Sequence, residues 1–400
     1  MARLRVLYLI AIAVGVFFVP SIRGVAGILA FQLVLWAVLR YPAGQVIRLA
    51  TKLFWFFFFV LLSFAFFPEE GAEPRWHEVT LAAWSFRISL EGISEGVLMC
   101  VRVFTVILTS LLVRRSASSA EFVEGLRGLF LPRRVAYTLD TTLHLLEPEQ
   151  LDGRMNEEGS GDGEGKNKKG QVVLRDVLRG DVRFFVRRIE QGLEKGQRYA
   201  KERYGDLAAD EIRDLGVISG LAFVAASLKL LKILPGIPFA PGHKTVLLLP
   251  LYLLAVELTR GRWAASLLGI CVGVIGFLMG DGRYGIFEIL KHIAPGFFLD
   301  LFHPLIRLKG GRLPGLLRTC LLGMLAAVGR FATVVTITLL MGAPGAFYAM
   351  VAPLALVHLG FGAASGFVSY PLIKSLERLR KAADGTGEAS GSVAPSTAQK

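Results

Sequence analysis

The sequence RRSASSAEFVEGLRGLFLPRR (residues 114–134) opens a long stretch of this chain that is too charged to lie in a bilayer. The stretch continues to residue 214 and holds 19 Lys and Arg together with 19 Asp and Glu. On both sides of it, one apolar run follows another. We therefore expect two membrane blocks, joined by a charged and largely helical cytoplasmic segment.

The composition excludes an ordinary soluble protein, because 53% of the residues are hydrophobic and the mean hydropathy is +0.54. The formal net charge of +13 does not indicate a nucleic-acid partner. The charged stretch is balanced, and the remaining 26 basic and 13 acidic residues flank apolar runs, which is typical of the positive-inside rule. Cys100, Cys271 and Cys320 fall within apolar runs without metal-ligand or disulfide spacing, so we interpret them as packing residues.

Four spans are predicted in the first block, at residues 6–20, 25–39, 53–67 and 96–113. The loop between the second and third span carries Arg40, Arg48 and Lys52, whereas residues 68–92 carry several Glu and few bases. The first of these loops is therefore expected inside and the second outside. This orientation puts the N-terminus and residue 114 in the cytoplasm.

Six further spans are predicted in the second block, at residues 217–234, 245–258, 263–280, 286–302, 317–341 and 347–373. The fold class is thus an all-α polytopic membrane protein with about ten transmembrane helices, four and six, in the cell's inner (plasma) membrane, with both termini cytoplasmic. The expected domains are residues 1–113, the cytoplasmic helices 114–214, the six-helix block 215–373 and a disordered cytoplasmic tail 374–400.

The charged segment is not uniform. Residues 121–130 and 135–146 carry apolar stripes at helical spacing, and Pro132 separates them. Residues 152–170 form a Gly-rich linker, and a third stripe with many Arg follows. Such amphipathic helices usually lie on a membrane or against a partner. A solvated bundle beside the membrane is the alternative.

An ordered series of motifs resembles the transmembrane T component of energy-coupling factor (ECF) transporters, the family that includes cobalt-transport permeases. The residues concerned are Ile93-Ser94-Glu95-Gly96, Arg102, Thr109-Ser110, Ser119-Ala120-Glu121, Leu126-Arg127-Gly128-Leu129 and Leu131-Pro132-Arg133-Arg134. The resemblance implies that the following helices project into the cytoplasm and dock on ABC-type ATPase subunits.

In that family, Ala-Arg-Gly-like motifs at the helix ends make the contact with the ATPases. The nearest counterparts here are Gly153-Arg154-Met155 and Glu202-Arg203-Tyr204-Gly205, and both depart from that motif. With Arg198 on the basic face of the same helix as Arg203, Arg154, Arg198 and Arg203 are the predicted ATPase-coupling residues.

The layout of the second block is similar to the substrate-capture S component of the same transporters. In S components, small residues in the first helix contact the T component, which implies this role for Ala222 and Ala226. Small residues one turn apart let two helices approach closely where lipid supplies no hydrophobic force. Close packing inside the block is the alternative, as for the ladder of Ala265, Gly269 and Gly273.

A solute site is predicted where the outer loops meet the next span. Glu288, Lys291 and His292 are spaced i, i+3 and i+4, so they share one helical face, which is costly in a membrane unless it lines a wet cavity. An ion pair within the helix is the alternative. Arg330, near the middle of its span, needs an anionic or carbonyl partner, and Asp300 with Arg318 is expected to be a structural pair. The complete predicted set is His243, Lys244, Asp281, Arg283, Tyr284, Glu288, Lys291, His292 and Arg330.

The residues give little support to metal or enzyme chemistry. His243, Asp281, Glu288 and His292 lack tight ligand spacing, so no metal site and no cofactor are predicted. The chain has no P-loop pattern, and no histidine follows Ser365, which excludes a serine–histidine dyad there. We expect a transport protein for a small water-soluble micronutrient, such as a vitamin, a precursor or a metal ion, driven by a separate ATPase. An ATPase-independent carrier and a scaffold that recruits a partner through residues 114–214 are the alternatives.

The charge asymmetry of the loops predicts which loops a reagent can reach. Single cysteines at Ala72 or Ala240 should react with a membrane-impermeant thiol reagent added outside intact cells, and a cysteine at Gly165 should not. Labelling is measured by mass spectrometry of the purified protein. Reaction at position 165 from outside would overturn the assigned orientation.

Overall fold

The structure is a computed structural model that describes residues 2–66, 76–81, 84–129, 131–146, 183–230, 245–279, 285–309, 315–340 and 345–390. These residues form thirteen α-helices and one β-hairpin. In chain order the elements are α1 (Ala2–Gly15), α2 (Ile22–Val38), α3 (Ala43–Phe66), β1 (Trp76–Leu81), β2 (Trp84–Ser89), α4 (Leu90–Ser116), α5 (Ser119–Arg127), α6 (Arg133–Leu145), α7 (Arg183–Arg203), α8 (Ala209–Leu230), α9 (Thr245–Leu258), α10 (Ala264–Leu278), α11 (Glu288–Lys309), α12 (Gly315–Leu340) and α13 (Gly345–Ser390).

Helix α4 is the centre of the first block, because α1, α2 and α3 all pack on it. Buried polar groups fix these contacts. The Gln32 amide donates to the Thr109 hydroxyl at 2.5 Å, and the Arg102 guanidinium donates to the Val19 carbonyl at 2.8 Å. On the opposite side, a Cβ at Gly96 would lie 3.1 Å from Phe64 of α3. The apolar runs thus form a helical bundle, as predicted.

The hairpin of β1 and β2 is a departure from the all-α prediction, which treated residues 68–92 as a loop. The two strands are antiparallel, and the register pairs His77 with Ile88 and Glu78 with Arg87. The second strand, WSFRIS, alternates bulky apolar and polar residues, which is the period of a strand. Sequence reasoning missed this period because the segment lies between two much stronger apolar runs.

Helices α5 and α6 confirm the two amphipathic stripes of the charged segment. The Ser118 hydroxyl and the Glu121 carboxylate cap the first turn of α5 reciprocally, and Glu121 also pairs with Arg5 of α1 at 2.8 Å. The Ser118 amide and, after it, Arg5 lower the pKa of Glu121. Phe122, Val135 and Leu139 are buried: α5 packs on α1 of the first block, whereas α6 packs on α8 and α10.

Helix α7 packs along α8 in the antiparallel direction. A Cβ at Gly192 would lie 2.8 Å from the Gly220 carbonyl, and Gly196 meets the Gly216 carbonyl in the same way. The two backbones are therefore in direct contact. Charged α7 covers the first turns of the span predicted at residues 217–234, so these turns face protein and not lipid.

Helices α9 and α10 form the interior of the second block, and most of their residues are buried. Glycines again set the spacing of the neighbours. A Cβ at Gly273 would lie 3.0 Å from the Ile289 backbone of α11, and a Cβ at Gly362 of α13 would lie 2.9 Å from the Met324 backbone of α12. The ladder of Ala265, Gly269 and Gly273 therefore serves close packing inside the block.

Two helices cross limits between the predicted domains, whose bounds stay predictions. Helix α8 crosses the expected domain limit at residues 214 and 215 without a break, and the Asp214 carboxylate accepts from the main-chain amides of Arg260 and Gly261. Helix α13 continues to Ser390, although residues 374–400 were expected to be a disordered tail. Residues 374–381 contain Lys, Leu, Glu and Arg, which favour helix and extend the span into it.

Four of the described helices are long and apolar enough to cross a membrane, namely α3, α4, α12 and the part of α13 at Ala349–Leu376. Helices α2, α9 and α10 are shorter apolar helices. The structure thus supports a helical membrane protein. The count of ten spans and their arrangement as four and six stay predictions.

The second block contacts the C-terminal end of α4. Arg114 donates to the Phe277 carbonyl at 3.3 Å, and the Phe277 ring lies 5.3 Å from that of Phe122. The orientation predicted from charge puts Phe277 near the outer face and Arg114 at the inner face. That orientation stays a prediction.

The glycine contacts predict a large difference between two Gly→Ala substitutions. Gly220→Ala in α8 inserts a methyl group against the backbone of Gly192 and Leu193, so we expect it to lower the free energy of unfolding by about 1–3 kcal/mol. Gly27→Ala in α2 meets no atom within 4 Å and should have no destabilising effect. Thermal unfolding in detergent measures both. Equal stability of the two variants would contradict the backbone contact.

Candidate solute site and coupling surface

The first turn of α11 carries three of the predicted solute-binding residues. Helix α11 begins at Glu288, directly after the short 3₁₀ turn Gly285–Phe287. The Glu288 carboxylate pairs with the Lys291 ammonium, and its Oε1 lies 4.0 Å from His292 Nε2. The three side chains share one helical face, as predicted. The ion pair within the helix, which was the alternative to a solute site, is also present.

This cluster lies in the protein interior. Glu288 is 3% exposed and His292 is 2% exposed. Removing a carboxylate and an ammonium from water costs several kcal/mol per ion, which their attraction offsets only in good geometry. Among the described residues, no donor lies within hydrogen-bonding distance of Glu288 Oε2. The cluster therefore retains an acceptor for a further polar group.

Two neighbouring helices hold the cluster in place. The Tyr252 hydroxyl of α9 donates to the main-chain carbonyl of His292 at 3.0 Å. Gly273 of α10 contacts the backbone of Ile289, and Gly269 contacts that of His292. Sequence reasoning did not find Tyr252. The signal was present, because a tyrosine inside the apolar run 245–258 must find a partner for its hydroxyl.

Arg330 of α12 is half-buried in the same block. It lies close enough to Tyr252 and His358 to act on both electrostatically. His358 of α13 is 7% exposed and donates through Nδ1 to the Leu354 carbonyl at 2.8 Å. Tyr252 thus lies near both Arg330 and His292, which places Arg330 in the same region as the α11 cluster. His358 was not identified from the sequence.

The other predicted solute-binding residues lie outside the described residues. They are His243, Lys244, Asp281, Arg283 and Tyr284, and the predicted coupling residue Arg154 lies outside as well. In the described part of the chain, no three His, Cys, Asp or Glu side chains group as metal ligands. His243 and Asp281, two of the four residues considered above as metal ligands, lie outside this part of the chain.

A second polar cluster lies nearer the other end of α11, and it corrects one expectation. Arg318 pairs with Glu257 of α9 at 2.7 Å, and His303 Nε2 lies 3.2 Å from the same carboxylate oxygen. Asp300, expected to pair with Arg318, instead accepts from the main-chain amides of Ala265 and Ser266. It thereby satisfies the free amides at the start of α10.

The predicted coupling surface comprises α5, α6 and α7. Arg198 is two-thirds exposed and pairs with Glu194 of its own helix at 2.8 Å, and Arg203 is exposed. Aromatic contacts bind α7 to α6: His144 stacks on Tyr199 at 4.3 Å, and the Tyr204 hydroxyl donates to Asp140 at 2.6 Å. Burial and then this hydrogen bond raise the pKa of Tyr204.

Ala222 and Ala226 of α8 are buried. Ser219, one turn before Ala222, donates to the Thr138 carbonyl of α6 at 3.3 Å. The face of α8 that carries Ser219 and Ala222 therefore meets the charged segment that follows the first block. The contact of α8 with α7 uses other small residues, Gly216 and Gly220.

Ion pairs join α6, α8 and the connection between α9 and α10 around a cavity of about 480 Å³. Arg134 of α6 pairs with Glu211, and Arg260 pairs with Asp210 at 3.0 Å. These pairs are exposed, so each stabilises the junction by about 0–1 kcal/mol. They do set the register of α6 against α8.

The buried ion pair predicts an asymmetry between single and double substitutions. Lys291→Met leaves the Glu288 carboxylate buried without its ammonium, so we expect a loss of about 3–5 kcal/mol in unfolding free energy. Adding Glu288→Gln removes the charge and should recover most of this loss. Thermal or denaturant unfolding in detergent provides the measurement.

The exposed pair of Arg87 and Glu78 in the hairpin is the matched control. Its side chains are 73% and 64% exposed, so Arg87→Gln should cost about 0–1 kcal/mol. If Lys291→Met costs no more than Arg87→Gln, the α11 cluster is not a buried ion pair.

Comparison with known families gives one match. The family model of CbiQ, described as cobalt transport protein, matches residues 1–146. The resemblance of the first block to ECF T components is thereby confirmed over these residues, which extend through α6. Searches of curated proteins and of solved structures found no match. The model does not reach residues 215–373, so the resemblance of that block to S components stays a prediction.

Proposed function

We propose that this protein is the membrane component of an ECF-type importer that takes up a small water-soluble micronutrient. A separate ABC-type ATPase energises it, and residues 215–373 capture the solute from outside. The observation that carries the proposal is the match of residues 1–146 to the cobalt transport protein family, a transport family and not an enzyme family. Vitamins, vitamin precursors and metal ions are the solute classes in question.

The contact with the ATPase is proposed to use the surface of α5–α7. In support, the match to the transport family ends on α6, and α7 lies directly against α6. Arg198 and Arg203 project from α7 with most of their side chains exposed, as docking on an acidic partner requires. Charge-assisted hydrogen bonds contribute about 1.5–3 kcal/mol each, so two arginines suffice for a measurable effect.

Solute capture is proposed for the region of Glu288, Lys291, His292 and Arg330. Ionisable residues inside a membrane block are costly and usually mark solute or ion pathways. The Glu288 oxygen that no described residue contacts offers an acceptor, and Arg330 and Lys291 offer positive charge. This combination favours a polar solute that carries both hydrogen-bond donors and anionic or carbonyl groups.

One observation favours a second candidate, an ATPase-independent carrier. Helix α11 places a histidine beside a buried carboxylate at two levels, His292 at Glu288 and His303 at Glu257. Chains of carboxylates and histidines carry protons in many membrane carriers. A proton gradient is therefore the alternative energy source.

Capture of the ATPase tests the proposal. The chain is co-expressed with an ABC-type ATPase and purified through a tag, and the ATPase that co-purifies is quantified. We expect Arg198→Glu with Arg203→Glu to lower the captured ATPase about tenfold or more. Arg40→Glu with Arg48→Glu is the matched control and should have no effect, because both residues are exposed and lie away from α7, Arg40 just after α2 and Arg48 near the start of α3.

Uptake of radiolabelled Co²⁺ by the same cells separates the two energy sources. Uptake should stop when the ATPase carries an inactivating substitution in its P-loop lysine. Uptake that persists and follows the imposed pH gradient would favour the carrier. A complex that survives the double reversal would show that α7 is not the coupling surface.

A further inference from the structure

The connection between α10 and α11 is held at both of its described ends by the first block. At its beginning, Arg114 of α4 donates to the Phe277 carbonyl at 3.3 Å, and its guanidinium carbon lies 5.8 Å from the centre of the Phe277 ring. Phe122 of α5 packs on the same ring at 5.3 Å. Arg114 thus both satisfies a carbonyl near the end of α10 and covers its last aromatic ring.

At the other end, Gly285 lies against α4. Its φ of +57° is in the left-handed region, and a Cβ there would lie 2.7 Å from the Ser110 hydroxyl. Only glycine suits both the backbone conformation and the space. Two residues later, the Phe287 ring packs 6.1 Å from that of Phe17. Gly285 and Phe287 are therefore fixed on α4 and on the end of α1.

Glu288 is the next residue along the chain and the first residue of α11. One peptide bond joins Glu288 to Phe287, so its position depends on that residue. Lys291 and His292 lie on the same first turn of α11. Because α10 contacts α11 backbone to backbone, the cluster has little freedom to move apart from this turn. A displacement of the 3₁₀ turn therefore moves Glu288, Lys291 and His292 with it.

We propose that Ser110 and Arg114 are positioning residues through which the first block sets the geometry of the Glu288–Lys291–His292 cluster. The docking of the two blocks and the geometry of the cluster are then energetically linked. Such linkage is reciprocal: a change in the cluster must alter the docking as much as a change in the docking alters the cluster. The meaning of this linkage for solute capture rests on the proposed function, whereas its existence can be tested without a solute.

The reporter is the distance between Phe17 and Phe287. Phe17→Cys and Phe287→Cys are combined in the full chain, the native cysteines are kept, and a short bifunctional methanethiosulfonate joins the pair. The rate at which the linked peptide forms is followed by mass spectrometry in detergent. Glu288→Gln, which follows one cysteine position in the chain but leaves both cysteines in place, should change this rate about threefold or more, as expected for coupled sites. Arg114→Gln should do the same.

Two matched controls separate linkage from general loosening. Arg115→Gln removes the same charge from the next residue of α4, which is exposed. Leu290→Ala alters a side chain of the same α11 turn that is 48% exposed. Both should leave the rate unchanged. If Glu288→Gln does not fold, Glu288→Gln with Lys291→Met replaces it, because this pair leaves no buried charge.

The inference is overturned if neutralising Glu288 leaves the cross-linking rate at its parent value. It is equally overturned if Leu290→Ala or Arg115→Gln changes the rate as much as Glu288→Gln. Suppose that ATPase capture and Co²⁺ uptake both fail while the cross-linking rates are as predicted. The proposed function is then refuted, and the linkage stands.

Discussion

The architecture depends on glycines, which have no side chain and so let the backbones of neighbouring helices come into contact. In lipid there is no hydrophobic force between helices, so their association relies on close packing and on internal polar contacts. Three helix pairs use this device: α7 with α8, α10 with α11, and α12 with α13. At each of them a glycine of one helix meets the backbone of the other, which leaves almost no room for sliding.

The ionisable side chains inside the second block pair with one another or with main-chain groups. Glu257 serves both Arg318 and His303, and Asp300 binds the first amides of α10. These contacts tie α9, α11 and α12 together at one level, while Tyr252, His292 and Arg330 do so at another. Because α11 contributes to both levels, a shift of this helix along its axis disturbs both. Coupled movement of the two clusters follows from the packing.

The sequence predicted helix positions well and helix partners poorly. Apolar length and flanking charge locate a span such as 245–258, because these properties belong to the segment alone. The pairing of Arg318 with Glu257 instead of Asp300 depends on how three helices cross, which no spacing within one helix encodes. His358 was missed for the same reason. The Glu288 and Lys291 pair was found because both residues belong to one helical turn.

The contact of Arg114 with Phe277 constrains how the blocks can move. Helix α6 lies between them, with the ion pair of Arg134 and Glu211 at one end and the α10 terminus near the other. The Arg134 pair is exposed and weak, whereas Phe277 is buried between Arg114 and Phe122. The buried contact at Phe277 therefore holds the second block more firmly than the exposed pair of Arg134 and Glu211 does.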